Sequence, residues 1–389
     1  MGDVTPRLEV QDGLISCGGQ AWDALVGDAP PVLHHDFLSA LERAECVGAP
    51  TGWLPKTILA TNPDTGALVG GAPGYIKLHS MGEFVYDWAW ADASHRAGLR
   101  YYPKMVIAAP FSPVAGPRLM TSPELSPADA EAVARALLMH AEETAREEGC
   151  TGIHMLFCTR EEARLAERLG YVIRSGVQFH WHNEGYRDFN DFLARFRSKR
   201  RNQIRRERRR IVEAGVETIS LTGDDITPAH MALAFRFYAA TVDRFSWGRR
   251  YLNEALFEAL RETQRDAVQL TLARHQKSGE IVAGTFNFQK GHARYGRYWG
   301  CDAEIPMLHF EVCSYAAIED CIDKGIRTFE AGAGGGHHKF GRGFLPVETF
   351  SAHKLFHPGF HDTVARFCAQ EARSIRAEIA GLRESLFAR

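Results

Sequence analysis

The residues with the most chemical potential lie in one run near the C-terminal end, FEAGAGGGHHKFGRGFLPVETFSAHKL, from Phe329 to Leu355. A strand carries Glu330 into a glycine-rich turn, and His337, His338, Lys339 and Arg342 follow at once. A second strand, Glu348–Leu355, then carries His353. Glycines let backbone come close to a ligand and present N–H donors to it. Clustered His, Lys and Arg can move a proton or stabilise an oxyanion. Adjacent histidines on a loop, with no carboxylate partner, chelate one ion poorly, so no metal is expected. GAGGG lacks the G-x-x-x-x-G-K-[ST] spacing and no helix is expected behind it, which argues against a nucleotide phosphate loop.

A second group is cationic. Ten of the sixteen positions in Arg195–Arg210 (RFRSKRRNQIRRERRR) are Lys or Arg, and Glu207 is the single acid. Phe192, Phe196, Ile204 and Ile211 leave only a thin apolar seam. Like charges at i,i+4 repel, so such a helix needs an anionic counterpart, and Arg binds phosphate bidentately. Coenzyme A phosphates, a tRNA backbone and anionic lipid headgroups all qualify. Arg200, Arg201 and Arg205 are the candidate phosphate contacts. Glu311, close to His309, and Asp87 are candidate bases. Asp87 sits in SMGEFVYDWAWADASHRAGLRYYPK, where Tyr86, Trp88, Trp90 and Tyr102 are candidate substrate contacts. His337 joins them from the glycine loop.

These residues hang on a duplicated framework. A shift of 213 aligns TILATNPDTGALVGGAPGYIK (Thr57–Lys77) with QLTLARHQKSGEIVAGTFNFQK (Gln269–Lys290), matching Leu59 with Leu272, Gly66 with Gly279 and Gly71 with Gly284. Each copy reads as strand, turn closed by glycine, strand. A long helix, a glycine and a strand follow in both halves: Pro127–Glu148, Gly149 and Ile153–Cys158, then Leu308–Lys324, Gly325 and Arg327–Gly332. Ser126 is the expected N-cap of the first helix. Gly149 and Gly325 are only 176 apart, so the first half holds about 37 extra residues, mainly within His79–Arg118. A short helix, Glu161–Leu169, and a β-pair close that half. The reading is an α/β (α+β) protein of two domains, 1–185 with the aromatic insert and 186–389 with the basic helix and the glycine-histidine loop.

Bulk properties exclude several classes. Lys+Arg total 46 against 48 Asp+Glu, so the chain is not a globally basic nucleic-acid binder and no DNA partner is expected. Eight scattered cysteines without a Cys-x-x-Cys pair argue against a disulfide framework or a zinc site. Met1–Val10 lacks a basic region followed by an apolar run, and no run approaches the ~18–20 residues of a membrane span. A cytoplasmic protein is expected, with peripheral contact at the inner face of an anionic membrane compatible with the basic helix.

Beyond these readings the chain resembles a known family. GEFVYDWAWADA with LRYYPK, PFSPVAGPRL, FLARFRSKRRNQIRRERR, RYWGC with LHFEVCSYAAIE, and GGHHKFGRGFLPVETFSAHKL are similar to blocks of the FemAB-like predicted N-acyltransferases, a peptidoglycan biosynthesis/recognition family of the GNAT-like superfamily. The resemblance runs from about Leu8 to about Phe367. It implies tandem GNAT-like domains, mixed sheets flanked by helices, and site residues at His338, Lys339, Arg342 and Gly343. It implies a cofactor loop at Phe111–Leu119, with Gly116 and Arg118, although prolines depart from the usual [RQ]-x-x-G-x-[GA] pattern. Where the family usually has Gly-Glu-His-Lys, this chain has Gly336-His337-His338-Lys339, an imidazole for a carboxylate. Related Fem enzymes take aminoacyl-tRNA, often with a coiled-coil arm that nothing between Asp188 and Asp266 is long enough to form.

The expected function is N-acyl or aminoacyl transfer to a small-molecule or lipid amine in cell-envelope or lipid metabolism. The donor is acyl-CoA, acyl-carrier protein or aminoacyl-tRNA, and no tightly bound cofactor is expected. In this reading Lys339 and Arg342 clamp the oxyanion or thioester. The alternatives are a non-catalytic GNAT-like protein that recognises a cell-wall or lipid ligand, and an RNA binder acting through the basic helix.

Overall fold

The computed structural model describes residues 5–244, 248–334 and 336–385. In chain order the first elements are β1 (Arg7–Gln11), α1 (Gly19–Val26), α2 (His35–Arg43), β2 (Trp53–Pro55), β3 (Thr57–Thr61), β4 (Leu68–Ala72) and β5 (Gly74–Lys77). Then come α3 (Trp88–Arg96), β6 (Lys104–Ile107), β7 (Met120–Thr121), α4 (Pro127–Glu147), β8 (Gly152–Cys158), α5 (Arg160–Arg168) and β9 (Val172–His182). They are followed by α6 (Phe189–Ala194), α7 (Ser198–Glu213), β10 (Val216–Thr222), α8 (Pro228–Asp243), α9 (Glu254–Thr263), β11 (Val268–His275), β12 (Ile281–Lys290) and β13 (Ala293–Cys301). The last are α10 (Leu308–Phe310), α11 (Ala316–Asp323), β14 (Thr328–Glu330), α12 (Gly336–Phe340), β15 (Leu345–Leu355) and α13 (Pro358–Ser385), with a π-helical turn, Glu311–Tyr315, joining α10 to α11.

Two compact units result: Met1–Gly176 with Glu348–Arg376, and Val177–Val347 with Ala377–Arg389. This differs from a single cut near 185. The late strand β15 pairs antiparallel with β8, Lys354 opposite Ile153, so Glu348–Arg376 completes the first unit. That pairing spans about 200 positions, and no local pattern announces it.

In the first unit, β1, β3, β4 and β7 form one sheet, and β15, β8, β6, β5 and β2 lie side by side in another. β6 and β8 run parallel, and α4 packs Val133, Leu137 and Ala141 into the core over them. Ser126 caps α4 by accepting from the Asp129 N–H. The strand β6 falls inside the stretch 79–118 and is wholly buried, so the parts outside the sheet are 79–103 and 108–118.

The second unit orders its strands β10, β11, β12, β13, β14 and β9, with β14 parallel to β13. The duplication is exact in register. Leu59 faces Gly71 as Leu272 faces Gly284, and a bulge follows Ala60 as one follows Ala273. Gly66 and Gly279 close the turns at φ 71° and 73°, where a Cβ is strained. Gly71 and Gly284 sit where a Cβ would fall 2.6 Å from Trp22 and from Leu272 respectively. After the long helices, Cys150 N–H donates to Ala145 and Ile326 N–H to Cys321. One difference is telling. Pro73, without an N–H, splits the first copy's second strand into β4 and β5, whereas β12 continues and merely slips register at Phe286/Asn287.

Candidate functional site

The second unit contains a cavity of about 280 Å³. The β13–β14 ladder stops at Tyr295/Glu330, and the cavity opens beside Gly296–Trp299 on one chain and Ala331, Ala333 and Gly334 on the other. Opposite the bulge, Tyr298 pairs with Phe286 and Gly296 with Asn287, which leaves Arg297 as the extra residue on β13. Helical residues His309, Phe310, Cys313 and Ser314 form another wall, and His338, Lys339 and Arg342 complete the lining. The π turn inserts one residue into that helix and so rotates its faces.

Lys339 is half-buried in the lining of this cavity. Its ammonium donates to the Gly332 carbonyl at 2.6 Å, and burial brings its pKa down to about 8. Cys313 lies close enough to oppose that shift weakly, and burial holds its own thiol far above the usual range. Burial also lowers His309 to about 4, with Arg342 and Lys339 adding to the effect, so the ring is neutral at pH 7. Its ring meets Trp299 edge-on at 5.0 Å. At the far wall Asn287 donates to Gln269 Oε1 (2.6 Å) and Thr285 Oγ1 (3.0 Å), so its amide orientation is fixed.

Arg342 is 5% exposed and its guanidinium lies 3.2 Å from the Phe310 ring centroid. It donates to the His338 carbonyl at 2.9 Å and to Glu207 at 3.0 Å. Glu207, from α7, also accepts from Tyr315 Oη and from Gln203 (2.8 Å). The single acid of the basic run is therefore an anchor for Arg342. The sequence carried its signal, a lone carboxylate among ten cations on the buried side beside Ile204 and Ile211. His338 is exposed, its ring 5.7 Å from Phe310, and the side chain of His337 lies outside the described residues. A helix, α12, does follow the glycine turn, contrary to expectation, but it is a single turn.

Several expected site residues stand elsewhere. Glu311 lines a different hollow, of about 480 Å³, and pairs with Arg208 at 3.0 Å. Burial raises its carboxyl and Arg208 opposes. Arg205 lines the same hollow, while Arg200 bonds Gln203 and Arg201 bonds Ser198. None of the three lines the Lys339 cavity.

In the first unit, Gly116 and Arg118 are not free for a cofactor. The Gly116 N–H donates to the Phe157 carbonyl, and Arg118, fully buried, donates to the Leu156 and Val114 carbonyls. The Arg118 and Leu119 N–H groups both donate to Glu162 Oε1, at 2.5 and 2.6 Å. A carboxylate of the chain itself thus occupies the donors a phosphate would need.

Asp87 is likewise committed. It accepts from Tyr101 Oη at 2.6 Å and pairs with Lys104, which also bonds Glu83 (2.8 Å) and Ser80 (3.0 Å). Burial pushes the Asp87 carboxyl up, but Lys104 outweighs it and leaves the group below its usual range, too weak for a base. Trp90 is core, edge-on to His353 at 4.9 Å. Tyr86 and Trp88 are exposed, their rings tilted at 43° with centroids 5.0 Å apart, and Tyr102 Oη meets Ser80 Oγ at 2.7 Å.

Two α/β units, the second with a cavity beside two parting parallel strands, make up the fold and its candidate site. The chain belongs to the FemAB-like family, described as peptidoglycan biosynthesis/recognition, which matches residues 14–389. Among solved structures it is similar to FemX, with 13% identity, 92% of this chain and 100% of that one covered, and a TM-score of 0.54. It is also similar to L-PGS from Bacillus licheniformis, with 11% identity, 84% and 94% coverage and a TM-score of 0.50. At such identities these likenesses speak for the fold. No curated protein matches the chain.

Proposed function

We propose that the chain is an N-acyltransferase whose reaction centre is the cavity around Lys339, acting on an amine acceptor of envelope or lipid synthesis. The observation that carries this reading is a buried lysine with a pKa of about 8 in a cavity beside a bulged strand. In the reaction the amine nitrogen attacks the acyl carbonyl, the bond to the leaving group breaks, and one proton passes from nitrogen to that group. Neutral Lys339 takes the proton and returns it to the leaving atom. A thiol, with an ordinary pKa of about 8.5, matches that lysine closely, which favours a thioester donor such as acyl-CoA or acyl-carrier protein. Asn287, held by Gln269 and Thr285, offers its carbonyl oxygen to an N–H of the acceptor. Arg342 stands by as the cation nearest the developing oxyanion, while Glu207 positions it.

The test supplies the purified chain with acyl-CoAs of increasing length and short- or long-chain primary amines, and follows thiol release and amide mass. Amide formation that falls about 10²–10⁴-fold in Lys339→Ala supports the reading. Turnover with aminoacyl-tRNA but with no thioester would overturn the donor, and turnover with neither would favour a non-catalytic binder.

A further inference from the structure

The hollow on the other side of the π turn is not used by the chemistry above. Its lining includes Arg205, Arg208 and Arg209 from α7, and its apolar walls come from Phe189, Leu193 and Val216. Arg208 is taken up by Glu311 and Glu319. Arg205 and Arg209 are exposed and make no ion pair among the described residues, and Val212, next on the same i, i+4, i+7 stripe, is 66% exposed. Around them Arg197, Lys199, Arg206 and Arg210 also face solvent. The nearby carboxylates do not cancel this field: Glu217 is paired with Arg274, and Glu213 is one exposed acid against six exposed cations.

We propose that this face of α7 is a docking surface for an anionic phospholipid membrane, with a lipid phosphate between Arg205 and Arg209 and Val212 entering the headgroup layer. Charge complementarity supplies the attraction, and each basic residue near an anionic leaflet is worth about fivefold in affinity. The hollow's apolar walls and exposed valine distinguish lipid from nucleic acid. Single-stranded RNA binding relies on exposed aromatic platforms for stacking, and α7 carries no aromatic residue. A helix that sets arginines beside an exposed aliphatic residue matches an interfacial contact instead. The surface acts apart from the acyl-transfer reading, since it would hold the chain at a membrane whatever reaction its cavity performs.

The test is co-sedimentation of the full chain with vesicles of phosphatidylcholine alone or with 40% phosphatidylglycerol, in about 0.1 M salt, with a tRNA mixture as competitor. Binding confined to the anionic vesicles is expected. The triple variant Arg205→Gln/Arg206→Gln/Arg209→Gln is expected to lower it about 100-fold with its melting temperature unchanged. Val212→Asp leaves every cation in place and is expected to weaken binding about tenfold. Equal binding to both vesicle types, no binding at all, or full retention in both variants overturns the proposal. So does tRNA that binds more tightly than the vesicles and displaces them, which would make α7 a nucleic-acid surface.

Discussion

Replacing Glu207 by Ala removes the carboxylate that Arg342 donates to at 3.0 Å. The two side chains are 9% and 6% exposed, so the guanidinium is left almost dry without its counter-charge. Breaking one partner of a buried pair costs about 3–5 kcal/mol. For a unit of this size each kcal/mol lowers Tm by about 2–4 °C, so a fall of about 6–20 °C is expected. Glu207→Gln keeps one oxygen acceptor, for Tyr315, and should recover about 1–2 kcal/mol of the loss. The double variant Glu207→Leu/Arg342→Met removes both charges and should return to within about 1 kcal/mol of the wild type. Urea unfolding of the wild type, Glu207→Leu, Arg342→Met and the double variant gives the coupling between the two side chains. A Glu207→Ala protein within 1 kcal/mol of the wild type, or a double variant no better than the single one, would refute Glu207 as the anchor of Arg342.

Four further outcomes are expected. Lys339 has a folded pKa of about 8, below its ordinary 10.5, so the unfolded chain holds more protons between those values. Stability should therefore rise with pH across that window, and Lys339→Met should flatten the slope and raise stability at pH 7, as pH-dependent denaturation will show. Turnover should climb through pH 8 on the same ionisation, and a pH–rate profile lacking a limb near 8 would remove Lys339 from the chemistry. Glu162→Ala strips the acceptor from the Arg118 and Leu119 N–H groups and should cost about 3 kcal/mol, partly restored by sulfate in a thermal melt. Gly300→Ala sets a Cβ 2.0 Å from the Phe237 carbonyl oxygen, and a loss of about 3 kcal/mol or more is expected in urea unfolding.

Much of the framework was readable from local pattern alone. The hairpins announced themselves because the turn glycines and the small residues at 71 and 284 answer the same steric demand in both copies. Ser126 was readable as a cap because its side chain bonds three residues away. The site was read less well. Closeness in sequence paired Glu311 with His309, but residues two apart on a helix face nearly opposite ways, so His309 lines the Lys339 cavity and Glu311 ends on the arginine side. Arg118 looked like a phosphate ligand because nothing in its vicinity reveals that Glu162, 44 residues on, takes its N–H. Trp90 looked like a ligand contact because aromatic richness does not tell a core face from a lining one.

The late return of β15 to β8 also sets an order of events during synthesis. The ribosome must make Val177–Val347, most of the second unit, before the strand that completes the first unit has emerged. At about 5–20 residues per second that delay is on the order of ten to thirty seconds. Throughout it β8, a wholly buried strand in the finished protein, presents an unpaired apolar edge. The nascent chain is thus an open half-sheet whose apolar edge needs shielding until Leu345–Leu355 emerges to cover it.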